Sequence, residues 1–160
     1  EVDAAELADE KAFTNSVNAE IIANSIGSES RAEIKRHILI AEDNLVNQRV
    51  LAKVVERLGW TFVFANNGRE AIERAKAEAF EIILMDCQMP EVSGYEAAVE
   101  IRKLSGYRET PIVACTAQAS VGAESRCFAS GMSDFISKPF HLETVKSCLL
   151  HWSEKLARSE

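Results

Sequence analysis

A chain whose apolar residues come in short unbroken runs, separated by stretches of helical period, has few ways to fold. The runs are Ile38-Leu39-Ile40-Ala41, Ile82-Ile83-Leu84-Met85, Ile112-Val113-Ala114-Cys115 and Phe135-Ile136-Ser137, and a further strand is predicted from near Thr61. An apolar run of this length marks a strand buried on both faces, as in a parallel sheet. Between the runs the period changes. Val46, Val50, Leu51, Val54, Val55 and Leu58 lie on one helical face, closed by Gly59 as a C-terminal glycine. Further helices are predicted over 68–78, 95–104, 121–130 and 141–156, the last with Leu142, Val145, Leu149 and Leu150 inward. Five strands alternating with five helices make βαβ units, and hence an α/β fold: a doubly wound, five-stranded parallel sheet with helices on both faces.

Each run leads into polar chemistry. The first meets Glu42-Asp43-Asn44, the second Asp86, the third Thr116 and the last Lys138-Pro139. Open parallel sheets bind ligands just beyond the carboxyl ends of their strands. Three carboxylates, a hydroxyl and an ammonium are therefore expected in one crevice. Taken singly, each has a plainer role: Glu42-Asp43-Asn44 would cap the next helix, Thr116 would end a strand, and Lys138 would be a solvated charge. Met85 and Met89 read as core and loop packing. Taken together, at the ends of separate strands, the polar residues make a site.

Composition narrows the function. A formal charge of -7 argues against a nucleic-acid surface, which needs a basic patch. No apolar stretch approaches a membrane span and no signal peptide is visible, so a cytoplasmic segment without membrane contact is expected. Cys87, Cys115, Cys127 and Cys148 stand at no metal-ligand or redox spacing and read as reduced thiols. Oxidation of Cys87, beside Asp86, would interfere with the site. His37, His141 and His151 are scattered and read as surface or element-end residues. Residues 1–35 differ from the rest: they carry -5 of the net charge, with Phe13, Val17 and Ile21 at helical spacing before Ser25-Ile26-Gly27-Ser28 breaks the pattern. They read as an acidic, partly helical linker, leading into a domain over 36–158.

The blocks HILIAEDNLVNQRV, EIILMDCQMPEVSGYEA, PIVACTA and DFISKPF resemble, in order, the signatures of a two-component receiver domain. They are most similar to receivers attached to hybrid sensor histidine kinases, and the resemblance covers roughly 37–152. It implies a flavodoxin-like (βα)5 fold with strand order 2-1-3-4-5. It also implies that Asp86 is the phosphoacceptor, attacking a phosphohistidine to form an aspartyl phosphate. Clustered carboxylates repel one another, and a hard divalent cation relieves that repulsion while neutralising the phosphoryl charge. By resemblance the cation is Mg²⁺, held by Asp43 and Asp86 directly, by Glu42 through water and by the backbone carbonyl of Gln88.

The same resemblance places Lys138 and Thr116 on phosphoryl oxygens, with a cis Lys138–Pro139 peptide. Gln88 and Gln118 fall where the family tunes hydrolysis. Thr116 and Phe135 fall at the switch positions, with signalling through the fourth helix, fifth strand and fifth helix of the domain; a homodimer through that face is also implied. Two positions depart from the pattern. Ser93 replaces the usual aspartate before Gly94, which calls the capping of that loop into question rather than the chemistry. Ser120 replaces a frequent methionine and makes its face less apolar.

Other readings fit less well. A haloacid-dehalogenase-like phosphatase needs an acid two residues after the nucleophile, where this chain has Gln88. A nucleotide-binding fold needs a glycine-rich turn after the first strand, where this chain has Glu42-Asp43-Asn44-Leu45. A receiver-like module that is never phosphorylated is disfavoured by the intact acids, threonine and lysine. The chain carries no kinase catalytic motif, so the only catalysis expected of it is its own phosphorylation and dephosphorylation. The start at Glu1, the acidic lead-in and the short tail lead to the expectation of a C-terminal receiver in a hybrid histidine kinase. Its partners would be a histidine kinase or a histidine phosphotransfer protein docking on Leu45, Val46 and Gln48. A free-standing single-domain regulator is the runner-up.

Overall fold

Residues 34–117 and 120–159 are described by a computed structural model. The expected linker over 1–35 therefore lies, apart from Ile34 and Lys35, outside the described residues, as does Gln118. The five apolar segments become strands β1 (His37–Ala41), β2 (Thr61–Ala65), β3 (Ile82–Asp86), β4 (Ile112–Thr116) and β5 (Asp134–Ser137). Between and after them run α1 (Leu45–Arg57), α2 (Gly68–Ala77), α3 (Gly94–Arg102), α4 (Val121–Ala129) and α5 (Leu142–Ser159). The sheet is parallel throughout, in the order β2-β1-β3-β4-β5, as the resemblance implied. The aliphatic runs of β1, β3 and β4 take the central places. Every residue of β3 and β4, and all but the first of β1, is buried, whereas the edge strands β2 and β5 keep part of their surface in water. Each fully buried Ile or Leu on the central strands contributes about 1.5–3 kcal/mol of apolar transfer.

Sequence punctuation sets the helix ends. Asn44, Asn67, Ser93 and Ser120 are N-caps, each accepting backbone N–H groups of the first turn. Gly59 closes α1 with φ of 76°, a conformation that glycine adopts at little cost. Ser93 does more than replace an aspartate. Its hydroxyl accepts from the Glu96 amide at 3.2 Å while Glu96 accepts from the Ser93 amide at 3.1 Å, a complete capping box. The doubt over that loop is thus removed.

Two amphipathic faces differ from the periodicity. In α1, Val46 is 67% exposed and Gln48 is buried, so the inward face is Gln48, Leu51, Ala52, Val54 and Val55. In α5, Val145 and Leu149 are buried as expected, but Leu142 and Leu150 are only half-buried, and Lys146 and Ser153 lie inside. Ser153 is inside because Arg36 needs it. The Arg36 guanidinium, in a side chain 4% exposed, donates to Ser153 Oγ at 3.0 Å, the Ser153 carbonyl at 3.0 Å and Glu81 Oε2 at 2.6 Å. One arginine thus ties the entry of β1 to the last helix and to the segment before β3. Replacing it by methionine keeps the apolar stem but strips those oxygens of a charged donor. Arg36→Met is expected to cost about 2–3 kcal/mol in urea unfolding; a loss below about 0.5 kcal/mol, as for an ordinary surface site, would show that the bonds add nothing net.

Arg102 plays a similar part at the opposite end of α3. It donates to the carbonyls of Gly131 at 2.8 Å, Tyr107 at 2.6 Å and Thr110 at 2.6 Å, and to Ser133 Oγ at 3.2 Å. Burial lowers its affinity for the proton, and Glu109 opposes that. These carbonyls belong to the loops that feed β4, which carries Thr116, and β5, which leads into Lys138.

Candidate functional site

The strand ends meet as the apolar runs require. β1 delivers Glu42, which is fully buried, followed by exposed Asp43; β3 ends on Asp86, 2% exposed; β4 ends on Thr116; and β5 leads into Lys138. The Lys138–Pro139 peptide is cis. Neighbouring strand ends are tied by backbone bonds, Cys87 N–H to the Cys115 carbonyl at 3.0 Å and Lys138 N–H to the Thr116 carbonyl at 2.8 Å. Together they border a crevice of about 300 Å³ that Asn44, Asn47, Gln88 and Ala117 also line.

Capping and site chemistry are divided among adjacent residues. Asn44 caps α1, its Oδ1 accepting from Val46 N–H at 2.9 Å and Asn47 N–H at 3.1 Å. Glu42 and Asp43 are therefore not needed as caps. Glu42 Oε1 instead accepts from Asn44 N–H at 3.2 Å and Asn47 Nδ2 at 3.4 Å. One oxygen each from Glu42, Asp43 and Asp86 lies within 4.8 Å of the others. The Lys138 ammonium stands between two of these acids, 3.1 Å from Glu42 Oε2 and 3.1 Å from Asp86 Oδ1.

The electrostatics follow from this crowding. Burial, then the Asp86 charge, pushes the Glu42 carboxyl up to about 7, against the pull of Lys138 and the Asn44 amide. Burial alone would lower the Lys138 ammonium, but its bond to Glu42 and the charge of Asp86 outweigh that and hold it above its ordinary value. Asp86 Oδ1 also accepts from Gln88 N–H at 3.1 Å, whereas Asp86 Oδ2 is buried and, among the described residues, accepts no hydrogen bond. A buried carboxylate oxygen without a donor is costly in an apolar setting. This all-oxygen donor set, with an unsatisfied oxygen inside it, suits a hard divalent cation.

The other expected residues fall as follows. Gln88 lines the crevice with its side chain exposed. Phe135 is half-buried, packed on the core and set edge-on to Phe128 at 6.4 Å between ring centroids. Cys87 is 1% exposed, and burial pushes its thiol up to about 12, which leaves little of the reactive thiolate for the oxidation considered above. Met85 and Met89 are buried in the core cluster. None of the three histidines lines the crevice.

Asn47 was not among the expected site residues and Asn44 was expected only as part of a helix cap, yet both line the crevice beside the acids. Gln48 was expected on an exposed docking face with Leu45 and Val46, and that expectation is corrected. It is 4% exposed, its amide donating to the Glu42 carbonyl at 2.7 Å and to Asn66 Oδ1 at 2.9 Å. Leu45 and Val46, each 67% exposed, do face outward.

A family model described as the response regulator receiver domain matches residues 38–149. Hybrid signal transduction histidine kinase A of Dictyostelium discoideum is 38% identical over 122 residues, 74% of this chain and 6% of that protein. The histidine-protein kinase BarA of Escherichia coli is 33% identical over 115 residues, 72% of this chain and 12% of that protein. The chain thus spans only a small part of these relatives. Among solved structures, the receiver domain of sensor histidine kinase PA1611 from Pseudomonas aeruginosa, described with a magnesium ion in its active-site cleft, superposes with a TM-score of 0.69 at 36% identity, covering 74% of this chain and 98% of that one. The receiver domain of Saccharomyces cerevisiae Ssk1, solved with the histidine phosphotransfer protein Ypd1, gives a TM-score of 0.71 at 30% identity, covering 76% and 91%.

Proposed function

The chain belongs to the response regulator receiver domain family, and on that premise we propose that Asp86 is its phosphoacceptor. The observation that carries the proposal is the buried Asp86 Oδ2, undonated among the described residues, in a crevice where the Lys138 ammonium already lies on the same carboxylate. The Asp86 carboxylate attacks the phosphorus of a phosphohistidine; an O–P bond forms, the N–P bond breaks and the imidazole leaves. Lys138 takes one phosphoryl oxygen as a compact point charge and Thr116 donates its hydroxyl to another. Asp43, Asp86, Glu42 through water and the Gln88 carbonyl are the groups that would hold Mg²⁺. When bound, that ion supplies positive charge to the oxygens of the transferring group. Gln88 and Gln118 set the access of water to the product, and Thr116 and Phe135 carry the change to α4, β5 and α5, the face proposed for a homodimer.

Incubation with a small acyl phosphate, with and without Mg²⁺, tests this. The expected result is one phosphoryl group, labile to hydroxylamine, on the peptide containing Asp86 and only when Mg²⁺ is present. No modification, or modification elsewhere, would sink the assignment.

In the cell the donor or acceptor is proposed to be a histidine kinase or a histidine phosphotransfer protein, with the chain acting as the receiver of a hybrid kinase on the cytoplasmic side. Similarity to receivers of hybrid kinases supports this context. Among the described residues no helix is long and apolar enough to cross a membrane. The proposed docking patch is Leu45 and Val46, exposed at the start of α1 next to Asn44 and Asn47 in the crevice wall. Leu45→Asp with Val46→Asp is expected to slow transfer from a phosphotransfer protein about tenfold or more, the loss of one or two buried apolar anchors. Labelling by the small acyl phosphate should be unchanged. Equal slowing with both donors would place the fault in the crevice and not in docking.

A further inference from the structure

We propose that Gln48 is a positioning residue that braces Glu42 against the loop after β2, and through it against the backbone of Asp86. The proposal rests on the reading of the crevice as a cation and phosphoryl site. The β2–α2 loop contributes nothing to the crevice lining, yet it joins both acidic strand ends. On one side the Gln48 amide spans the Glu42 carbonyl at 2.7 Å and Asn66 Oδ1 at 2.9 Å, and Glu42 N–H donates to the Ala65 carbonyl at 3.0 Å. Asn66 is fixed in turn, its N–H donating to Glu70 Oε2 at 3.2 Å, and Asn67 caps the same helix by accepting from Glu70 N–H at 2.8 Å.

On the other side Gly68 N–H donates to the Val92 carbonyl at 3.2 Å. A Cβ on Gly68 would strike that carbonyl oxygen and come within 2.8 Å of its carbon, so the two loops touch backbone to backbone. Two residues on, Gly94 N–H donates to the Cys87 carbonyl at 3.1 Å and lies against the Asp86 carbonyl. The path from Glu42 through Gln48, Asn66, Gly68, Val92 and Gly94 to Asp86 closes a ring around one side of the site. A buried amide with two good acceptors, neither of them a ligand, has the chemistry of a group that orients ligands, and removing such groups commonly weakens metal binding by about tenfold or more.

Mg²⁺ titration of the domain by calorimetry and amide NMR tests the proposal with Gln48→Met and Asn66→Ala. In the unaltered chain the amides of Asn66, Gly68 and Val92 should shift on Mg²⁺ addition although they line no part of the crevice. Gln48→Met should weaken the Mg²⁺ dissociation constant about tenfold at a temperature where it remains folded. Asn66→Ala, at an exposed loop position that leaves the core intact, should weaken it by a smaller factor; Gln48→Met should lose the shifts at Asn66 and Gly68, and Asn66→Ala the shift at Gly68. A role in stability alone predicts a lower melting temperature with the dissociation constant unmoved; that result, or still amides in the unaltered chain as Mg²⁺ binds, overturns the proposal. An unaltered chain that binds no Mg²⁺ at all overturns the crevice reading itself, and the brace with it.

Discussion

Asp86→Asn is expected to abolish phosphoryl uptake, lowering the initial rate with a small acyl phosphate by about a thousandfold or more, the scale on which removing a nucleophile acts. The amide is nearly the same size, so the sheet end should be undisturbed, but its nitrogen and oxygen are poor nucleophiles. Stability should move the other way. In the unmodified chain Asp86 is a contributor to the rise of the Glu42 carboxyl, second to burial. Removing that negative charge relieves a like-charge contact between buried groups, although Lys138 loses one of its two partners. The metal-free variant should therefore melt at the same temperature as the parent or higher. Mass spectrometry of intact protein and a thermal melt in chelator measure the two halves. Equal labelling of parent and variant would end the case for Asp86, and a large loss of stability would show that the carboxylate serves the fold.

Gly94→Ala is expected to damage both fold and site, costing about 3 kcal/mol in urea unfolding, the upper range for overpacking against atoms that cannot yield. The added Cβ would strike the Asp86 carbonyl oxygen and stand 2.8 Å from the Asp86 carbonyl carbon and 2.9 Å from Cys87 Cα. All three are backbone atoms of the strand end that carries Asp86, the proposed nucleophile. Relief therefore needs either α3 or the end of β3 to shift, and the second choice misplaces Asp86. Phosphoryl uptake by the folded fraction should fall as well. Gly122→Ala is the internal contrast: its Cβ would meet nothing within 4 Å, and the position lies in the first turn of α4. There the loss of unfolded-state freedom and better helix propensity should stabilise by about 0.5–1 kcal/mol. Comparable effects at the two glycines would mean that close approach at Gly94 is not what the fold requires.

The fold was legible because burial on two faces leaves a continuous apolar run, and the acids, threonine and lysine were legible because each such run ends on one of them. What escaped was polar chemistry directed largely at main-chain oxygens, some of them far along the sequence. Arg36 reaches the Ser153 carbonyl, Arg102 the Gly131 carbonyl, and Gln48 the Glu42 carbonyl six residues back together with the Asn66 side chain. A carbonyl is present at every residue, so no side-chain pattern marks which one an arginine or glutamine will find. Gln48 also deceived the helical period. Hydropathy prefers Val46 inside, yet at the first turn of α1 the neighbouring groups are the polar strand end of β1 and Asn66, which an amide satisfies and a valine cannot. Ser93 shows the reverse: its capping box with Glu96 is written in four consecutive residues and is readable once the glycine after it is recognised as the helix start.

Lys138 lies at the same 3.1 Å from Glu42 and from Asp86. A free lysine side chain samples many rotamers, and stilling it costs up to about 2 kcal/mol of conformational entropy. Here folding has already stilled it, because two carboxylates hold the ammonium, one of them the proposed phosphoacceptor. On that proposal an arriving phosphoryl group would meet a cation that exchanges one oxygen partner for another without searching for a pose. The disorder lost in the encounter is then chiefly that of the donor, and the return of the phosphoryl group leaves the lysine where it began.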